Sequence, residues 1–172
     1  MAAKVDFFVQ EISNLKPGER ASFPGAWTNS NPARNHAIVV IFECTGPDEF
    51  AVVTCNTGGG CEYHPSSNAD FPKDKKQCAL RLGGISGSIV KDEALWYMIL
   101  KLQMGSEEEN SCGIWYEVIM PHLCGSRDVS SVIDEFKATG GHPETAQRSG
   151  TCFYRCILTA FRYVMKSMHS AY

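Results

Sequence analysis

The rhythm of apolar and polar positions changes several times along this 172-residue chain. Residues 5–15 have helical spacing that Pro17-Gly18 cannot continue, so a short helix is expected there. Residues 20–35, "RASFPGAWTNSNPARN", are rich in Pro, Gly, Asn and Ser and read as a loop carrying an unexpected Trp27. Two β-rich runs follow, "HAIVVIFECTG" (36–46) and "EFAVVTCNTGGG" (49–60), and the turn signal between them predicts an antiparallel hairpin. "GCEYHP" (60–65) reads as the start of a third strand, and "QCALRLGGIS" (77–86) alternates like a half-exposed one.

Helical periodicity returns in "DEALWYMILKLQM" (92–104), where Leu95, Met98, Ile99 and Leu102 share a face and Asp92 and Glu93 suit an N-terminus. "IWYEVIMPHL" (114–123) is compatible with strand or helix. "DVSSVIDEFKATGG" (128–141) predicts a helix ending at Gly140. A last helix over 152–168 places Cys156, Ile157, Ala160, Val164 and Met168 on its apolar face. Without an internal repeat or a linker-like stretch, residues 1–172 are expected to form one α+β domain built on an antiparallel sheet.

Composition narrows the class. A net charge of -3 provides no basic footprint, so nucleic acid is not an expected partner. The opening segment carries Asp6 and Glu11 within its apolar stretch, unlike a secretory signal, and no apolar run is long enough to span a bilayer. A cytoplasmic protein is expected, with no membrane partner. Eight cysteines in that setting read as free thiols, most of them small buried hydrophobes.

Cys152 is the exception. It opens a helix after Ser149-Gly150-Thr151, where unpaired N–H groups and the helix dipole favour a thiolate, and Arg148 and Arg155 add positive potential. A thiol nucleophile needs an imidazole from elsewhere in the fold. Of His36, His64, His122, His142 and His169, the first opens a strand at what would be the sheet rim, and His64 is the rival base. In an antiparallel hairpin Asn56 ends beside the start of the His36 strand, and an amide there can orient the imidazole. Gln147, five residues before Cys152, is placed to donate to a developing oxyanion. The main rival chemistry is zinc held by Cys55, Cys61 and His64 with Cys44 or Cys78, but the spacing lacks the paired knuckles of structural zinc sites.

His36, Asn56, Gln147 and Cys152, in this order, resemble the site of papain-like cysteine peptidases with permuted order. The ubiquitin-like-protein-specific proteases and several deubiquitinases belong to that group. The strands "HAIVVIF" and "FAVVTCN" and the element "QRSGTC" carry the resemblance. This chain departs from the pattern in having Asn for the commoner Asp, a shorter Gln–Cys gap, "GTCF" around the nucleophile and a long stretch between Asn56 and Gln147. The resemblance implies an antiparallel sheet packed on a central helix that opens with the nucleophilic Cys152. It implies a thiol hydrolase cleaving after ubiquitin or a ubiquitin-like modifier, with no cofactor or metal, and Trp27 covering a channel for the substrate tail, where the residue by itself reads equally as a hydrophobic anchor for its long loop. An acyltransferase with the same Cys-His site and a non-catalytic interaction domain are the alternatives.

Overall fold

In the computed structural model, residues 1–66, 76–105, 107–125, 143–144 and 151–169 are described. Strands β1 (Arg20–Trp27), β2 (His36–Gly46) and β3 (Glu49–Cys55) are followed by the two-residue β4 (Lys76–Gln77) and by β5 (Ala79–Ser86). They build an antiparallel sheet of order β1-β2-β3-β5, while β4 pairs separately with β6 (Pro143–Glu144). The architecture is α+β, and the expected β2–β3 hairpin is present in register Val39↔Cys55 to Gly46↔Glu49.

β1 is the element that the Pro- and Gly-rich composition of residues 20–35 hid. Pro24 lacks an N–H, yet it pairs opposite Val39 because β1 is the edge strand, where one row of backbone groups needs no partner. The stretch expected as a third strand at 60–65 is instead a 3-10 turn at Cys61–Tyr63, entered through Gly60 in the left-handed region at φ 87°.

Both faces of the sheet are covered, which is why β2 and β3 read as nearly continuous apolar runs. Ile38, Val40, Phe42, Phe50, Val52, Leu80 and Leu82 point into a core shared with helices α1 (Ala2–Ser13) and α3 (Glu93–Met104). There Phe8 stacks on Trp96 at 4.9 Å, and Trp96 also meets Phe42 and Phe23. A one-turn α2 (Gly87–Val90) leads to α3, whose first turn is capped by Asp92 accepting from the Ala94 N–H. The ambiguous segment after it is helical: π-type over Ile114–Ile119, then α4 (Met120–Cys124). Pro121 has no N–H for the carbonyl four residues back, and the helix widens just ahead of it.

The opposite face of the sheet carries α5 (Cys152–His169), packed on Val39, Ile41, Val53, Cys55 and Ala79. Its contact stripe is Cys156, Ala160, Tyr163 and Val164, and Ile157 and Met168, expected on that face, are exposed. Small side chains at 156, 159 and 160 let the helix approach the strands, and longer ones are left at the margin. Tyr163 Oη lies 3.2 Å from Glu43, a buried carboxylate that also pairs with Arg20 at 2.8 Å and Arg81 at 3.0 Å. The helix expected over 128–141 lies outside the described residues. No helix among the described residues is long and apolar enough to cross a membrane.

Candidate active site

The direction of α5 sets Cys152 at the end of the sheet where β2 begins, on the face opposite His36, which alternates with Ile38 and Val40 and meets Trp27 on the side of α1 and α3. Cys156 donates its S–H to the carbonyl of Ala37 at 3.4 Å, and Tyr163 meets Glu43. Helix and strand β2 therefore run the same way. Cys152, one turn earlier and about 6 Å further back along the axis, opens the helix at the end where β2 begins with His36. The Cys152 side chain is half-buried.

His36 is held on both sides. Its cross-strand partner in the β1–β2 register is Trp27, whose ring centroid lies 5.0 Å from the imidazole. Trp27 keeps only 3% of its surface exposed, so most of the indole is already committed to the core and to His36. The loop leading into β2 is pinned by amides: Asn35 accepts from the Asn29 N–H at 2.7 Å, and Asn29 and Asn110 bond each other's backbone neighbourhood. This explains the Asn-rich composition of the segment, since side-chain amides satisfy backbone groups where no ladder exists.

Asn56 follows the end of β3 and is fully buried. Its Oδ1 accepts from His36 Nε2 at 2.7 Å and from the Gly58 N–H at 2.9 Å. Its Nδ2 donates to the Gly59 carbonyl at 2.7 Å and to Tyr116 Oη at 2.9 Å. All four hydrogen-bonding positions of the amide are used, and reversing it would set its NH₂ against the Gly58 donor. Nε2 of His36 is thus the protonated nitrogen and Nδ1 carries the lone pair. Burial lowers the His36 pKa below its ordinary 6.5, against smaller opposing effects of Asn56 and Glu62. The neutral ring is a base at neutral pH.

His64 has both ring nitrogens committed within the fold. It is 2% exposed, with Nδ1 2.6 Å from the Gln77 carbonyl and Nε2 2.7 Å from Tyr116 Oη, and burial lowers its pKa to about 4. Tyr116 comes from the π-helical stretch, anchored on β3 by Trp115 Nε1 donating to Thr54 at 3.2 Å. The sequence hint for Tyr116 was slight: an aromatic in a segment of ambiguous period, facing a glycine run that gave no reason to expect it.

Six of the other seven cysteines are buried core thiols, and Cys112 is partly exposed beside the His36 cleft. The eight are free, and burial raises the pKa values of Cys55 and Cys156, while a hydrogen bond from the Cys61 thiol to Cys78, together with burial, raises that of Cys61. Cys156 also touches Thr57 at 3.6 Å and is fully buried, whereas Cys152 keeps part of its surface exposed. Among the described residues no group of three or more His, Cys, Asp or Glu side chains is arranged to hold a metal ion. Gln147, Arg148 and His142 lie outside the described residues, while His122 is exposed on α4.

An open cleft adjoins His36, lined by Trp27, Arg34, Gly59, Gly60, Glu62 and Cys112 among others. It offers an approach to the imidazole along glycine backbone, with a cation and a carboxylate at its margins. The chain matches no protein-family model, no curated protein and no solved structure.

Proposed function

We propose that the protein is a cysteine peptidase acting on a peptide or isopeptide bond that follows ubiquitin or a ubiquitin-like modifier. The observation that carries this reading is the 2.7 Å contact between His36 Nε2 and a fully satisfied Asn56, at the sheet end where α5 opens with Cys152. The proton of the Cys152 thiol passes to Nδ1 of His36, and the thiolate attacks the scissile carbonyl. The Cys152 backbone N–H, with Gln147, stabilises the oxyanion. Imidazolium then protonates the leaving amine, a thioester remains, and water activated by His36 releases the acid and the thiol. The choice of modifier follows from the resemblance of the His36, Asn56, Gln147 and Cys152 motifs.

The test uses the full chain and a panel of ubiquitin and ubiquitin-like probes carrying a C-terminal electrophile. One covalent adduct at Cys152, abolished by Cys152→Ala and strongly slowed by His36→Ala, supports the proposal. A product assay in the presence of an amine acceptor separates hydrolysis from acyl transfer. A wholly unreactive panel, together with uniformly slow alkylation of all eight cysteines by iodoacetamide, overturns it in favour of a non-catalytic interaction domain.

A further inference from the structure

We propose that Tyr116 and His64 are positioning residues, a second tier behind Asn56 that determines which nitrogen of His36 carries the proton. The catalytic consequence rests on the peptidase reading, whereas the hydrogen-bond order does not. That order can be followed from one fixed end. The Gln77 carbonyl only accepts, so His64 Nδ1 must be its donor at 2.6 Å, and His64 Nε2 is left as an acceptor. Tyr116 O–H donates to that nitrogen at 2.7 Å, which leaves the phenolic oxygen to accept from Asn56 Nδ2 at 2.9 Å. Oδ1 of Asn56 then faces His36 Nε2 at 2.7 Å and requires a proton there. Four side chains from separate parts of the chain thus form one chain of donors with a single sense.

Local contacts alone would hold Asn56 less firmly. Its other partners, Gly58 N–H and Gly59 carbonyl, belong to its own glycine-rich turn. Tyr116 ties the amide across to the helical layer, and is itself fixed by the stacked Tyr63 at 4.7 Å and the edge of His64 at 5.5 Å. Gly60 is required for this approach: a Cβ there would lie 2.6 Å from Tyr116 Cε2. A buried Tyr-His pair with every polar atom committed in one direction is a costly arrangement to satisfy for packing alone.

The experiment is nitrogen-15 spectroscopy of histidine-labelled full-length protein at neutral pH, followed by kinetics of variants with whichever modifier probe the wild type cleaves. His36 is expected in the Nε2–H form and His64 in the Nδ1–H form, opposite tautomers in one protein. In Tyr116→Phe, His36 should show mixed tautomers, with kcat reduced about tenfold and KM little changed, as for loss of one buried hydrogen bond. His64→Gln retains a donor for Gln77 and an acceptor for Tyr116 and should keep kcat within about threefold of wild type, while His64→Leu should fall as Tyr116→Phe does. Wild-type His36 in the Nδ1–H form overturns the proposal, as does a Tyr116→Phe protein with unchanged His36 tautomer and kcat. If Tyr116→Phe does not fold, the Gln-against-Leu comparison at 64 decides. If no probe is cleaved while the wild-type tautomers are as stated, the peptidase reading falls and the hydrogen-bond order stands.

Discussion

Gly58 lies so close to His36 that a Cβ on it would sit 2.4 Å from Cε1 of the ring, inside any permissible contact. The residue opposite the start of β2 has to be glycine for the imidazole, tilted 33° against Trp27, to reach Asn56 without a clash at its Cε1 edge. Within the glycine run after Asn56, Gly58 is therefore a packing requirement of His36, while Gly60 makes room for Tyr116.

Gly58→Ala should accordingly displace His36 and break its bond to Asn56 while leaving the sheet intact. Adduct formation is expected to slow by about tenfold or more, since the imidazole loses its orienting partner. Unchanged circular dichroism with slowed reaction of the probe is the expected result. A Gly58→Ala protein as reactive as wild type would mean that His36 does not need its present position.

Asn56→Ala removes the acceptor of His36 and of the Gly58 N–H, and the donor to Tyr116 and the Gly59 carbonyl, in one step. It should slow the probe reaction less than His36→Ala, because Asn56 orients the ring but takes no proton. It should also destabilise the fold by about 2 kcal/mol, the cost of leaving buried partners unpaired. Chemical denaturation alongside the probe assay measures both.

Acid should expose the burial of His64. Its pKa is about 4 in the fold against an ordinary 6.5, so the unfolded chain binds the proton first. Stability from this group is complete above 6.5 and is lost as pH falls through the folded value. Between about pH 7 and about pH 5 that loss amounts to about 2 kcal/mol. Urea unfolding of wild type and His64→Gln over this range should show the wild type falling faster by roughly that amount. Parallel declines would show that His64 is not held neutral.

Glu43 joins β1, β2, β5 and α5 through Arg20, Arg81 and Tyr163. Replacing it by Ala should leave two arginines facing each other and loosen α5 from the sheet. The expected cost is about 2 kcal/mol, below that of a fully buried pair because Arg20 and Arg81 remain 28% and 30% exposed. Thermal or urea unfolding measures it, and an unchanged midpoint would show the cluster to be energetically idle.

Cys156→Ser is the control for the nucleophile. The hydroxyl can donate to the Ala37 carbonyl as the thiol does, so the fold should lose only about 1 kcal/mol and the probe should still react. If this change were as damaging as Cys152→Ala, the nucleophile would be misassigned.

Local pattern determined much of this protein. The nearly continuous apolar runs of 36–46 and 49–55, closed by a short turn, fixed the central hairpin, because a two-sided buried strand pair needs little beyond its own sequence and its turn. The helix after Cys152 and its amphipathic character were equally local, as was the neighbourhood of His36 and Asn56, which follows from antiparallel pairing alone. Three features needed the tertiary structure. β1 was concealed because Pro24 forbids a central strand and only an edge position, a property of the whole sheet, admits it. His64 read as an alternative base until its two nitrogens were found committed to Gln77 and Tyr116, partners 13 and 52 residues away. The face of α5 that meets the sheet was set by how closely small residues at 156 and 160 let two backbones approach. A sequence records which side chains are apolar, but the distance between two packed layers, and the partner of each buried polar atom, belong to the assembled fold.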